Sequence, residues 1–140
     1  MDIDKCLDEG YLVKIKADRD LIEKEIKESR YDFDRAKKAF IDRDYKWCIV
    51  KCYYSMFHSA KAVCFKLGLR EKRHFAVLVV LEELNKDGKL EIRFVNDFKA
   101  VMSLREGADY RYSYSMEKSE DSLKMTEDFN ARMLELLKRL

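Results

Sequence analysis

The sequence contains no proline and only four glycines, Gly10, Gly68, Gly88 and Gly107. So little punctuation favours long helices over many short strands. Long apolar runs are missing too. The longest, Phe75 to Leu81, is far too short to span a bilayer. The opening Met1-Asp2-Ile3-Asp4 is acidic and lacks the apolar segment of a signal peptide, so a cytoplasmic protein with no membrane partner is expected. Charge of one sign is not in excess. The net charge of +2 names no partner, and nucleic-acid binding would need a local basic patch. Cysteine is sparse at four residues, Cys6, Cys48, Cys52 and Cys64, which in a reducing compartment are expected to be free, buried and small. Cys48 and Cys52 lie i,i+4 and could offer two metal ligands. A zinc site needs two more, and no second Cys/His pair has suitable spacing, so neither metal nor cofactor is expected.

What is present is a balance of 47% apolar and 40% charged residues, which excludes a mostly disordered chain. One domain over residues 1–140 is expected, long enough for a real core. Residues 1–13 read as a short lead-in with one helical turn ending near Gly10. A first long helix is predicted from Ala17 to Ile41, with Ile22, Ile26, Phe33, Ala36 and Phe40 on one face and Glu23, Lys24, Glu25, Lys27 and Glu28 as a solvated face. Asp44 is a candidate N-cap for a second helix from Tyr45 to Leu67, and Gly68 is placed to end it. This helix carries two apolar stripes. One is Ile49, Cys52, Met56, Ala60, Val63 and Leu67, and the other is Val50, Tyr54, Phe57 and Phe65. Both must be buried, and a homodimer contact is the simplest use of the second.

Phe75–Leu81 has strand propensity but continues into Glu82–Asp87 with a glycine stop at Gly88, and it is predicted to be a buried third helix. A fourth helix begins near Ile92 and a last one runs from Glu117 to the end. The fold class is therefore all-α: an antiparallel up-and-down bundle with four principal helices and one shorter one.

Two groups of residues stand out. Arg70, Lys72 and Arg73 sit in the densest basic segment, readable as an interhelical loop or as a phosphate patch. The segment Leu104–Tyr112 is the second. The inner row Phe94, Phe98, Val101 and Met102 continues by threes and fours into Arg105, Asp109 and Tyr112. A guanidinium on a core-facing row cannot discard its charge, so it needs a carboxylate, a carbonyl or a phosphate. Asp109 supplies a carboxylate, and the pair reads either as structural or as a phosphate clamp. Tyr110, Tyr112 and Tyr114 alternate beside it, either packing at the helix end or stacking on bases.

Tyr53-Tyr54-Ser55-Met56-Phe57-His58-Ser59-Ala60-Lys61-Ala62, then Gly68, Lys72 and His74, then Leu104-Arg105 with Ala108-Asp109-Tyr110, resembles the HEPN superfamily from about residue 20 to 137. The likeness is to its small single-domain prokaryotic branch. It implies a dimerising helical bundle, in many members paired with a minimal nucleotidyltransferase in a toxin–antitoxin module. Catalytic members resemble metal-independent ribonucleases with an arginine, four to six residues, and a histidine. Other members bind nucleotide, and in some a tyrosine two places after the histidine is modified by the partner. Here Arg105 matches the arginine, Tyr110 stands at the histidine position, and Tyr112 matches the trailing tyrosine.

A tyrosine, with an ordinary pKa near ~10, is a poor general base at neutral pH. Five residues also turn a straight helix by about 140°, which separates Arg105 from Tyr110 unless Gly107 loosens the helix or a second subunit completes the cleft. The first expectation is thus a homodimeric binding module for nucleotide or RNA, with Arg105, Asp109, Tyr110 and Tyr112 as its site. A metal-independent ribonuclease using Arg105 with His58 or His74 as a displaced base is the second. A structural helical protein is the third. His58 and His74 otherwise read as a hydrogen-bonded core histidine and a capping or loop residue.

Overall fold

Periodicity dominates the local structure. The computed structural model describes all residues 1–140, in the order α1 (Ile3–Asp8), β1 (Leu12–Lys14), α2 (Arg19–Ile41), α3 (Tyr45–Lys66), β2 (Leu69–Glu71), α4 (Phe75–Lys86), α5 (Ile92–Tyr110) and α6 (Met116–Arg139). The four long helices and the shorter α4 stand where the apolar spacing puts them. Asp18 caps α2 by accepting from Asp20 N, and Asp44 caps α3 by accepting from Trp47 N at 3.4 Å. Ser115 does the same for α6 through Lys118 N. Phe75–Leu81 is helical, with Ala76, Val77, Val79, Val80 and Leu81 all buried.

The lead-in departs from expectation. After α1 the chain forms β1, which pairs antiparallel with β2, Leu12 opposite Glu71 and Lys14 opposite Leu69. Three-residue strands show no readable alternation, and these two lie far apart in sequence, so neither announces the other. The basic segment after α3 is therefore partly a strand rather than a free loop. Gly68 makes the turn between α3 and β2 with φ +76°, and a Cβ there would meet Ile15 O at 3.1 Å.

The core is one cluster of 26 buried residues from every helix and both strands, with α3 at its centre. Fourteen of the 22 residues of α3 are buried. Its second apolar stripe is covered by the chain itself, since Val50, Phe57 and Phe65 are buried and Tyr54 is half-buried. That surplus of apolar surface does not by itself call for a second chain, contrary to the expectation from sequence. Small residues let α2 approach α3 closely. Ser29 Oγ donates to Ser55 O at 2.8 Å, and Ser55 Oγ donates back to Ser29 O at 2.7 Å. Asn130 of α6 joins them, donating to Ser55 Oγ and accepting from Ser59 Oγ. A buried network with each member satisfied fixes the register of three helices.

α2 and α6 thus cover two sides of α3, and α5 lies on a third. The remaining side is open. Trp47, Lys51, Tyr54, His58 and Lys61 recur along it at spacings of four and three, all incompletely buried. The site lies on this stripe. No helix is long and apolar enough to cross a membrane.

Candidate functional site: an arginine among tyrosines

Arg105 is carried by the last two turns of α5 onto the open stripe of α3. Its side chain is 20% exposed and that of Asp109 is 21%. Arg105 Nε lies 3.1 Å from Asp109 Oδ2, an ion pair whose angle is too poor for a hydrogen bond, so the buried Nε donates to nothing. Nη2 donates to Tyr54 Oη at 3.2 Å, the one hydrogen bond the guanidinium makes. Three rings surround it. Cζ is 5.3 Å from the ring centre of Tyr53, 5.7 Å from Tyr54 and 5.6 Å from Tyr110. Burial works against the charge, but Tyr54, Tyr110 and Asp109 together outweigh it and hold the guanidinium above its ordinary range. The result is a fixed cation, braced by π faces, with most of its five donors free for an anion.

The end of α5 differs from both geometric expectations. Gly107 is buried and does not break the helix, which continues to Tyr110. Its carbonyl instead receives Arg111 N at 3.1 Å and Ser113 N at 2.9 Å, which closes the helix. Tyr110 nonetheless reaches Arg105, because a ring and a guanidinium are long enough to meet around a straight helix. Tyr112 does not continue the inner row. It lies past the helix end with φ +53° and is 79% exposed. Tyr110 and Tyr114 are also exposed, so the three tyrosines are presented to solvent rather than packed.

Arg111 and Lys118 flank this end. They line a polar hollow of about 290 Å³ with Ser103 and Ser113, Lys118 Nζ donates to Ser113 Oγ at 2.5 Å, and neither cation is in an ion pair.

His58 sits one turn beyond Tyr54 on the same stripe. Nδ1 is 2.5 Å from Glu25 Oε2 and Nε2 is 3.5 Å from Asp32 Oδ2, both from α2. The hydrogen bond to Glu25 and the charges of both carboxylates outweigh burial and raise the His58 pKa above 6.5. Burial raises the Glu25 pKa, but His58 and Lys61 outweigh it and the net shift is downward. Asp32 is raised, chiefly by burial. Lys61 completes the array, 3.5 Å from Glu25 and 3.3 Å from Glu71 of β2. Glu25 therefore is not on a solvated face. Its position in a run of alternating charge concealed it, and only α3 brings His58 and Lys61 over it. Tyr54 and Lys61 also went unmarked as site residues, the first hidden within an apolar stripe.

His74 stands at the start of α4 without a side-chain cap hydrogen bond, and its ring lies 4.5 Å from that of Phe57. Phe57 is in turn 6.1 Å from Tyr53, so an aromatic row links His74 to the rings around Arg105. The three cations of the basic segment differ in their surroundings. Arg70 leans over Phe65 at 5.7 Å, while Lys72 and Arg73 are exposed. All four cysteines are free and buried, and burial pushes the Cys64 thiol up to about 12. No three His, Cys, Asp or Glu side chains converge on a point that could hold a metal ion.

With this geometry in place, residues 22–139 match the HEPN domain family. The chain belongs to the HEPN family. It is 24% identical over 110 residues to a protein of Methanocaldococcus jannaschii whose name marks it as a candidate toxin, covering 78% of this chain and 74% of that protein. It is 30% identical over 91 residues to a UPF0332 protein of Archaeoglobus fulgidus, covering 65% of this chain and 73% of that protein. The match spans α2 to α6, which contain every residue around Arg105. The β1–β2 ribbon lies only partly within it. In this HEPN chain the charged array around His58 and the tyrosine-lined Arg105 face the same open side of α3.

Proposed function

We propose that this HEPN protein binds nucleotide or RNA through Arg105 and acts as the binding member of a toxin–antitoxin-type pair rather than as a nuclease. The observation that carries this reading is the guanidinium of Arg105, held by Tyr53, Tyr54, Tyr110 and Asp109 with most of its donors unspent. A phosphate oxygen supplies the missing acceptors, and a fork of donors suits it better than a point charge would. Asp109 sets the guanidinium's orientation. Tyr110, whose ring lies 5.6 Å from the guanidinium, and Tyr112, exposed just past the helix end, stack on a base or receive a modification.

A ribonuclease needs a base with a free lone pair. His58 faces carboxylates with both ring nitrogens, an arrangement that favours the imidazolium, which has none to offer. His74 is stacked on Phe57 at the far end of the aromatic row. Hydrolysis with a displaced base is therefore the weaker reading. A homodimer, and a minimal nucleotidyltransferase as the second gene product, complete the proposal. The named toxin relative supports the module.

The test is binding of labelled single-stranded RNA and of mononucleotides to wild type and Arg105→Ala, with the RNA examined for cleavage without added metal. Binding that disappears in Arg105→Ala, with intact RNA throughout, is the expected result. Metal-free cleavage lost in both Arg105→Ala and His58→Ala would establish the nuclease instead.

A further inference from the structure

We propose that the cleft between the end of α2 and the start of α3 is a second subsite for single-stranded RNA, a base-stacking platform built on Trp47 and Tyr31. It takes its ligand class from the reading of Arg105 above, but it stands on different residues.

The cleft has a volume of about 530 Å³ and is walled by Tyr31, Arg35 and Lys38 from α2 and by Trp47 and Lys51 from α3. Trp47, the sole tryptophan of the chain, is 46% exposed and Tyr31 is 54% exposed. The two rings stand exposed at the same cleft, one from each helix. Cations accompany both. Arg35 Cζ lies 5.2 Å from the Tyr31 ring centre, and Lys46 and Lys51 lie 5.6 and 5.9 Å from that of Trp47. None of Arg35, Lys38, Lys46 or Lys51 is in an ion pair, which leaves four charges for phosphates. Two acids also line the cleft, Asp42 and Asp44, and Asp44 is engaged in capping α3 through Trp47 N.

Rings that offer a π face, with mobile cations around them, are the elements of sequence-tolerant single-strand binding. A protein-docking patch would surround its aromatics with further apolar residues. Here the neighbours are lysine, arginine and aspartate. A duplex keeps its base faces stacked and has none to offer.

Position adds the second line of support. Trp47, Lys51 and Tyr54 follow at four and three residues on the open stripe of α3, and Tyr54 is hydrogen-bonded to Arg105. Seven residues of helix span about 10 Å. A strand with a phosphate on Arg105 and its backbone along Lys51 reaches Trp47 without leaving the protein surface.

Because Trp47 is the sole tryptophan, its fluorescence reports on this cleft alone. The full-length protein is titrated with a uridine dodecamer, with UMP and with a short RNA duplex. The dodecamer is expected to quench Trp47 saturably, the duplex to leave it unchanged, and UMP to bind at Arg105 without quenching. By anisotropy of the labelled dodecamer, Trp47→Ala and Tyr31→Ala each weaken binding by roughly 5- to 100-fold, the worth of a stacked base. Trp47→Phe keeps most of the affinity, and Lys38→Glu with Lys51→Glu weakens it without touching a ring. Circular dichroism of each variant confirms that it is folded.

Dodecamer affinity unchanged in Trp47→Ala, or saturable binding with no quenching, overturns the platform. If Arg105→Ala abolishes binding and Trp47→Ala leaves it unchanged, the Arg105 reading stands and this one falls. The reverse pattern keeps the cleft and removes Arg105. Wild-type protein that binds none of the three RNAs removes both. Self-association lost in Trp47→Ala at equal RNA affinity would make the cleft a protein contact.

Discussion

Arg105 shows why residue type alone did not settle the chemistry. From sequence it was a buried-row guanidinium with a carboxylate one turn on, and that pairing exists. What spacing could not show is that the pair leaves Nε unbonded and that two of the three rings around it come from α3. His58 is the contrasting case, since its two carboxylates reach it from another helix. Its titration has a definite sign. The folded pKa lies above 6.5, so its contribution is fully present below that value and is lost as pH rises through the folded pKa. Glu25 titrates low, so its contribution holds above 4.5 and fades as pH falls through the lowered value. The two overlap in mildly acidic to neutral solution. His58→Ala should destabilise the protein by about 1–3 kcal/mol near pH ~6, the range for a hydrogen bond to a charged group, and by less near pH ~9. Urea denaturation at both pH values checks this. An equal cost at both would mean that His58 contributes packing, not charge.

At the scale of elements, helix ends carry the strain. Tyr112 holds φ +53°, a conformation that a side chain with a Cβ adopts at a cost of roughly 1–2 kcal/mol. Tyr112→Gly should therefore raise stability by up to about 1 kcal/mol, read as a shift in the denaturation midpoint, while removing an exposed ring just past the end of α5. Gly68 is the opposite case. Gly68→Ala adds a Cβ at φ +76° and 3.1 Å from Ile15 O, and it should cost about 1–2 kcal/mol or more and loosen the β1–β2 ribbon. The ribbon itself was illegible in the sequence. Pairing of two three-residue strands is set by where α3 delivers Gly68, not by a local pattern. The long helices were legible because their apolar residues repeat every three or four positions, and because Asp44 and Gly68 mark ends with chemistry that acts locally. α4 was legible from length. Its apolar start continued into a charged, glycine-terminated segment too long for a strand.

For the molecule as a whole, the sequence pointed to the bundle and the family more plainly than to the surface. The second apolar stripe of α3 suggested a dimer, yet Val50, Phe57 and Phe65 are buried within the single chain. What stays open is a polar-aromatic stripe, Trp47 to Lys61, assembled from residues read individually as packing or solvated charge. If the protein is a homodimer, sedimentation at tens of micromolar should give about twice the 16.8 kDa chain mass. A species of single-chain mass at those concentrations would remove the dimer from the proposal.

The central claim is that Arg105 holds a phosphate and does not hydrolyse it. The direct measurement is the affinity of single-stranded RNA for wild type, Arg105→Lys and Arg105→Ala, beside the integrity of that RNA. Loss of a bidentate or charge-assisted contact predicts binding weaker by about tenfold or more in Arg105→Lys, because the fork is gone, and weaker still in Arg105→Ala, with RNA intact in all three. Equal affinity across the three proteins, or RNA cut by the wild type alone, would contradict the account.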